Sequence, residues 1–378
     1  MKLKRGLFWP IVIILTIIAI FLYWPEKISL ITSSRRPSPT PTPISDPLAG
    51  LPDYLIQLTI PALRARDYHS SLQLGPVLEQ TAHYTAYQAW YDSDGARVYG
   101  LLTLPTGKMP TAGWPVIILL HGYIPPKQYE TNGRAYRAWW QGLAATGEFV
   151  VFKPDLRGHG QSEGEATGPY FGSDYVEDAL NARAALANWS QINADDIGLW
   201  GHSMSGNTAL RAYAAHPEIP AVALWAGAVY TYQDFLDYGI TDPSYRPDPQ
   251  PTPTPMPESS LAGRLFSRRE QIDLTDPFWQ ALVPTNYLAD LPATSGAIGL
   301  FHAQDDAVCD YRYSQGLNDL LDQTAIKHEY HLYQHGGHNM TGNTFNQAME
   351  SMREFFRKYL IDSQIINTAT PSASLEAV

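Results

Sequence analysis

From His83 onward the chain alternates two hydrophobic patterns. Short apolar runs at Val116–Leu120, Phe149–Lys153, Ile197–Trp200, Ala221–Trp225, Ala297–Phe301 and His328–Tyr333 read as strands buried on both faces. Between them lie stretches of helix length: Arg134–Ala145, Asp174–Trp189, Thr208–Ala215, Tyr311–Gln323 and Phe345–Ile361. Strand alternating with helix predicts an α/β fold, a doubly wound and mostly parallel sheet with helices on both faces. Upstream of it, Tyr84–Tyr91 and Arg97–Leu104 flank Asp92-Ser93-Asp94-Gly95, the pattern of an antiparallel hairpin turning on Asp-Gly.

The first 50 residues follow another grammar. Leu7–Trp24 is an apolar run of 18 residues without a charge, long enough for a transmembrane helix, with Trp9, Tyr23 and Trp24 at its ends. Lys2, Lys4 and Arg5 precede it and Lys27, Arg35 and Arg36 follow, so counting positives sets no orientation. The short basic tail of residues 1–6 reads as a signal anchor with its N-terminus inside and the remaining chain extracytoplasmic. Cleavage after the run is the alternative and would release the remaining chain. Residues 25–50 form a Pro-rich linker, extended rather than folded. Residues 51–365 are the expected folded domain, and residues 366–378 a small, polar, disordered tail. A second tract, Pro243–Pro257, places seven prolines in fifteen positions, so it belongs to a surface excursion. It lies in an insertion of about 231–290 that forms a cap, whose aromatics (Tyr232, Phe235, Tyr238, Phe266, Phe278, Trp279) either line an apolar pocket or anchor the cap to the domain.

Composition narrows the chemistry. Hydrophobic residues make up 44% of the chain and aromatics 12%, as in a folded globular protein. A formal net charge of -11, with no basic stripe after Arg36, excludes nucleic acid as a partner. The single cysteine, Cys309, excludes an internal disulfide and a multi-cysteine zinc site. Nothing in the sequence calls for a metal or an organic cofactor.

In doubly wound sheets the ligand lies beyond the carboxyl ends of the strands. Those ends carry His121-Gly122-Tyr123, Asp155-Leu156-Arg157-Gly158-His159-Gly160-Gln161-Ser162, Gly201-His202-Ser203-Met204-Ser205-Gly206, His302 to Asp306, and His335-Gly336-Gly337-His338. Ser203, where a strand turns sharply into a helix, is the candidate nucleophile. A serine hydroxyl is a weak nucleophile at neutral pH, so it needs an imidazole to take its proton and a carboxylate to orient that imidazole. Asp306 and His338 fill those roles, with Asp305 and His335 as the alternatives. Backbone N–H groups of Tyr123 and Met204 are the candidate oxyanion hole. His121, His159, His202 and His302 are expected to be structural hydrogen-bond formers.

These motifs, with Asp94-Gly95, Gly100, Asp306-Ala307-Val308 and Gly337-His338, closely resemble the α/β-hydrolase superfamily over about residues 83–361. The nearest likeness is to the catalytic domain of the prolyl oligopeptidase family and related dipeptidyl-peptidase-like hydrolases. The resemblance implies an α/β-hydrolase fold and a serine hydrolase working through an acyl-enzyme in the chain order Ser, acid, His. Two departures stand out. The elbow has Ser205 where glycine is usual. The peptidases carry an N-terminal propeller, and the 36 residues between Asp46 and His83 are fewer than the roughly 40 of one blade. Short peptides and small esters therefore both stand as substrates, so a carboxylesterase or lipase-like enzyme is the alternative to a serine-type peptidase. A binding protein on a silent hydrolase scaffold is a third reading, and oligomeric state is not legible.

Overall fold

The computed structural model describes residues 48–240 and 272–362. The apolar run 7–24, the linker, the Pro-rich tract of the insertion and the C-terminal tail lie outside the described residues. Among the described residues no helix is long and apolar enough to cross a membrane.

Nine strands form one sheet: β1 (Gln73–Gln80), β2 (Tyr84–Ser93), β3 (Ala96–Pro105), β4 (Trp114–Leu120), β5 (Val150–Pro154), β6 (Ile192–His202), β7 (Ala221–Trp225), β8 (Ala297–Ala303) and β9 (His328–Tyr333). Their order is β1-β2-β3-β5-β4-β6-β7-β8-β9. The pairs from β5 to β9 are parallel, while β1, β2 and β3 add an antiparallel edge. The β2–β3 hairpin closes with Ser93 opposite Ala96, so the turn is Asp94-Gly95 alone, with φ of 51° and 82°. Positive φ at both turn residues matches the twist of the flanking strands, which is why Asp-Gly sits there.

Five longer helices cover the sheet: α1 (Arg137–Ala144), α2 (Asp174–Ala187), α3 (Met204–Ala215), α4 (Arg312–Leu321) and α5 (Asn343–Phe356). Alternation along β4 shows how the two faces are shared. Val116, Ile118 and Leu120 join one core with residues of α2, α3 and α4, whereas Ile117 and Leu119 join a second core with Trp140 of α1 and Met352 and Phe355 of α5. A strand buried on both faces must be apolar throughout, and every residue of β4 is buried.

The structure corrects one expectation and adds to the reading in two other places. Helix α3 starts at Met204, directly after the turn, rather than at Thr208. Strand β1 had no counterpart in the hydrophobic pattern. The described parts of the 231–290 insertion are short helices, Tyr232–Tyr238 and Pro277–Leu282, and their aromatics divide between the two roles considered. Tyr232, Phe278 and Trp279 are buried in the main core, while Phe235 faces a cavity described below; Phe266 lies outside the described residues.

Candidate active site

The chain runs outward from β4 in both directions, to β5 on one side and β6 on the other, and the carboxyl ends of β4, β6, β8 and β9 converge there. Ser203 occupies the turn between β6 and α3 with φ 55° and ψ −120°, a conformation that costs a non-glycine residue about 1–3 kcal/mol. The strain is held by its neighbours: Ser203 N–H donates to the Trp225 carbonyl at 3.0 Å, and Gly206 N–H donates to the Ser203 carbonyl at 2.9 Å. The Ser203 hydroxyl lies 3.8 Å from the Sγ of buried Cys309.

Asp306 meets His338 at this edge. His338 Nδ1 lies 2.8 Å from Asp306 Oδ2, which leaves Nε2 as the nitrogen able to take a proton from a nucleophile. Asp306 is well furnished with donors: His302 Nε2 at 3.2 Å on Oδ2, and the N–H groups of Val308 and Cys309 at 2.8 and 3.0 Å on Oδ1. Burial alone would raise its pKa, but the hydrogen bonds and charges of His302 and His338 outweigh it and hold the carboxyl well below the usual range. It is therefore an anion facing an imidazole.

Asp305 and His335 are placed differently. Asp305 accepts from the N–H groups of Gly336 and Gly337 at 3.2 and 2.8 Å, and the Gly337 bond is the main reason its carboxyl is also held down. His335 points outward, 84% exposed, with Nδ1 3.4 Å from Asp305. The pair fastens the loop that presents His338. Sequence reasoning allowed Asp305 a turn-capping place but had no signal for which loop it held.

Tyr123 and Met204 line the same cavity as Ser203. The Tyr123 ring is 46% exposed, so it is not packed into the core. Gly122 beside it could not be another residue: a Cβ there would stand 2.5 Å from Tyr136 Oη and 3.1 Å from Ser203 Cβ. Ser205 is accommodated at the unusual elbow position because its hydroxyl donates to the His121 carbonyl at 2.5 Å, a bond glycine could not make. The close backbone approach falls instead at Gly206, where a Cβ would come within 2.7 Å of Gly227 Cα.

The remaining histidines are wired into the frame. His121 Nδ1 donates to the Gly122 carbonyl at 2.8 Å and its Nε2 accepts from Leu156 N–H at 3.3 Å. Burial drives the pKa of His121, and that of His202, well below the ordinary histidine value, so both are neutral. His159 is lowered for the same reason and lies 3.2 Å from the Ile124 carbonyl. His202 has a larger part than the sequence suggested. Gly122 N–H donates to Tyr136 Oη at 2.6 Å, so the phenol proton is free to donate to His202 Nδ1, also at 2.6 Å. His202 Nε2–H then donates to the His338 carbonyl at 3.3 Å. Tyr136, 66 residues before His202, could not have been found from local sequence.

Two clefts open on either side of Ser203. One, of about 320 Å³, is walled by Tyr170, Phe171, Phe235, Ile240 and Val308 as well as Tyr123 and Met204. The other, also about 320 Å³, contains His338, Tyr136, Trp139 and Arg134. Among the described residues, no three His, Cys, Asp or Glu side chains are grouped to hold a metal ion.

A family model for the alpha/beta hydrolase fold matches residues 115–252. No curated protein matches the chain in sequence. Among solved structures, acetyl xylan esterase 1 from a Thermoanaerobacterium species is 17% identical with a TM-score of 0.53, the match covering 80% of this chain and 91% of that one. Dipeptidyl peptidase 4 of Porphyromonas gingivalis is 18% identical with a TM-score of 0.51, covering 79% of this chain but 37% of its own. The acylaminoacyl peptidase of Pyrococcus horikoshii is 19% identical with a TM-score of 0.55, covering 74% and 42% respectively. At such identities the likeness establishes the fold, which it shares equally with esterases and peptidases. The chain has the α/β-hydrolase fold, with Ser203 and His338 lining one cleft and Asp306 against His338 at the same edge of the sheet.

Proposed function

We propose that this chain hydrolyses acyl bonds through an acyl-enzyme on Ser203. The reading rests on one observation, the 2.8 Å contact of His338 Nδ1 with a buried Asp306 carboxylate beside a serine held in a strained elbow. In the first half-reaction Ser203 Oγ attacks the substrate carbonyl carbon while His338 Nε2 takes the hydroxyl proton. The resulting oxyanion is received by the N–H groups of Tyr123 and Met204, each such donor lowering the barrier by about 3 kcal/mol. Collapse breaks the bond to the leaving atom, which departs with the proton from His338. Water then attacks the acyl-enzyme, giving its proton to His338, which passes it to Ser203 Oγ as the acyl–oxygen bond breaks and the acid is released. Asp306 keeps its negative charge throughout and stabilises the imidazolium.

Esters are the favoured substrates. The apolar walls of the first cleft suit a neutral acyl group, and no charged side chain lines it among the described residues. Anchoring to a membrane through residues 7–24, with the enzyme on the extracytoplasmic side, is part of the same proposal. Its test is whether the chain stays with the membrane fraction after a salt wash and yields to protease added from outside.

The purified full chain is to be assayed on short acyl esters beside aminoacyl and X-Pro amides, with Ser203→Ala as the blank. Ester turnover that falls at least about 10³-fold in the variant supports the proposal. Amide cleavage dependent on Ser203 would make it a peptidase. Turnover of neither substrate, or unchanged turnover and organophosphonate labelling in Ser203→Ala, would overturn it.

A further inference from the structure

We propose, building on the hydrolase reading, that the cleft on the His338 side of Ser203 is a leaving-group subsite in which Arg134 selects esters whose alcohol or phenol carries a carboxylate. The assignment of sides follows from proton transfer. The group that leaves must receive its proton from His338, so it must lie where His338 can reach its oxygen. His338 lines the cleft shared with Tyr136, Trp139 and Arg134, and not the apolar cleft. The acyl part therefore occupies the apolar cleft beside Phe171 and Phe235, and the alcohol occupies the other.

The two clefts differ in charge as well as position. Among the described residues that line them, Arg134 is the one permanently charged side chain. Its guanidinium enters none of the ion pairs or side-chain hydrogen bonds of the described residues, unlike Arg137 one turn on, which reaches Glu79 at 3.4 Å. Among the described residues no carboxylate lines the cleft to neutralise it. On a protein of formal net charge -11, a cation without an ion-pair partner among the described residues, lining the cleft that holds the nucleophile, is the local exception. A guanidinium presents a planar fork of donors matched to a carboxylate.

Arg134 is exposed, so the expected discrimination is modest and screened by salt. The test compares the butyrate ester of 4-hydroxybenzoic acid with that of its methyl ester, substrates that share the acyl group and differ in charge on the leaving group. In Arg134→Gln, kcat/KM for the acid should fall about three- to fivefold at low salt while the methyl ester changes by less than about twofold. Arg134→Lys should restore part of the loss, and the wild-type preference should shrink as salt is raised. An equal fall on both esters, or no change on either, would overturn the subsite while leaving the hydrolase reading intact. Absence of Ser203-dependent turnover on both esters would instead sink the hydrolase reading, and the subsite with it.

Discussion

Tyr136 Oη lies 2.6 Å from His202 Nδ1, and through that contact the loop carrying Gly122 is tied to the loop carrying His338. Each bond in the series has one workable direction, from Gly122 N–H to the phenol, from the phenol to His202, and from His202 to the His338 carbonyl. Burial keeps His202 neutral, as that direction demands. Replacing Tyr136 by Phe leaves a buried N–H and a buried ring nitrogen without partners, at about 1–3 kcal/mol. Both ends of the link support the reacting atoms, so kcat on a short ester should drop about tenfold with KM little changed. A purely structural role would lower the melting temperature and leave kcat where it was.

Asp306 and Asp305 should separate under substitution. Asp306→Asn loses the anion opposite His338 and should reduce kcat by about 10³-fold or more. Asp305→Asn keeps an acceptor for one of the Gly336 and Gly337 N–H groups and loses the other bond at a site open to water, so its effect should stay below about tenfold. A larger loss from Asp305→Asn would reassign the acid.

The same carboxyl fixes a sign for stability against pH. Its folded pKa lies below the unfolded value, so its contribution is complete above the unfolded value and fades as pH falls toward the folded one. Wild type should exceed Asp306→Asn by about 2 kcal/mol near neutrality, the worth of hydrogen bonds to a charged group. The gap in melting temperature should narrow from about pH 5 downward. A gap that widened on acidification would contradict the assigned charge state.

Ser205 is expected to contribute to order at the elbow. Its hydroxyl holds the His121 carbonyl at 2.5 Å, at the end of the strand that leads to Gly122. Ser205→Gly should therefore lose about 1–2 kcal/mol by denaturant unfolding and a few-fold in kcat. Ser205→Ala should lose nearly as much stability, separating the hydroxyl from the backbone effect of glycine.

How much of this was legible depends on how local the cause was. Ala221–Trp225 and His328–Tyr333 stand where the apolar runs placed them, because strands in the parallel part of the sheet announce themselves by composition. β1 did not. It is an edge strand with Leu74 and Val77 exposed, broken by Gly75-Pro76 and by two shifts in register, so neither alternation nor burial marks it. The short helices at Asp53–Ile56 and Ile60–Ala65 bury Leu55, Ile60 and Leu63, a reason that exists only once the domain has folded. The placement of Ser203, Asp306 and His338 at one edge of the sheet was readable because strand ends carry them in a set order. Tyr136, Arg134 and the bond from His302 to Asp306 were not, since their meaning comes from contacts across the edge of the sheet.

Arg211 supplies the last prediction, because the apolar cleft depends on it. It is almost wholly buried on α3, yet among the described residues its guanidinium meets no carboxylate within ion-pair distance; it donates to the carbonyls of Pro169 (3.2 Å), Gly172 and Leu58 (2.6 Å). Burial lowers its pKa, although an arginine retains its charge. Pro169, Tyr170 and Phe171 form a wall of the cleft, so a charged side chain in the core fixes the surface an acyl group would touch. Arg211→Met fills similar volume but strands three carbonyls, and should cost about 3 kcal/mol in denaturant unfolding. With the wall loosened, KM for a longer acyl ester should rise several-fold while acetyl ester turnover changes little, because an acetyl group is too short to lean on Phe171. Equal effects on both esters would mean that Arg211 supports the fold without shaping the cleft.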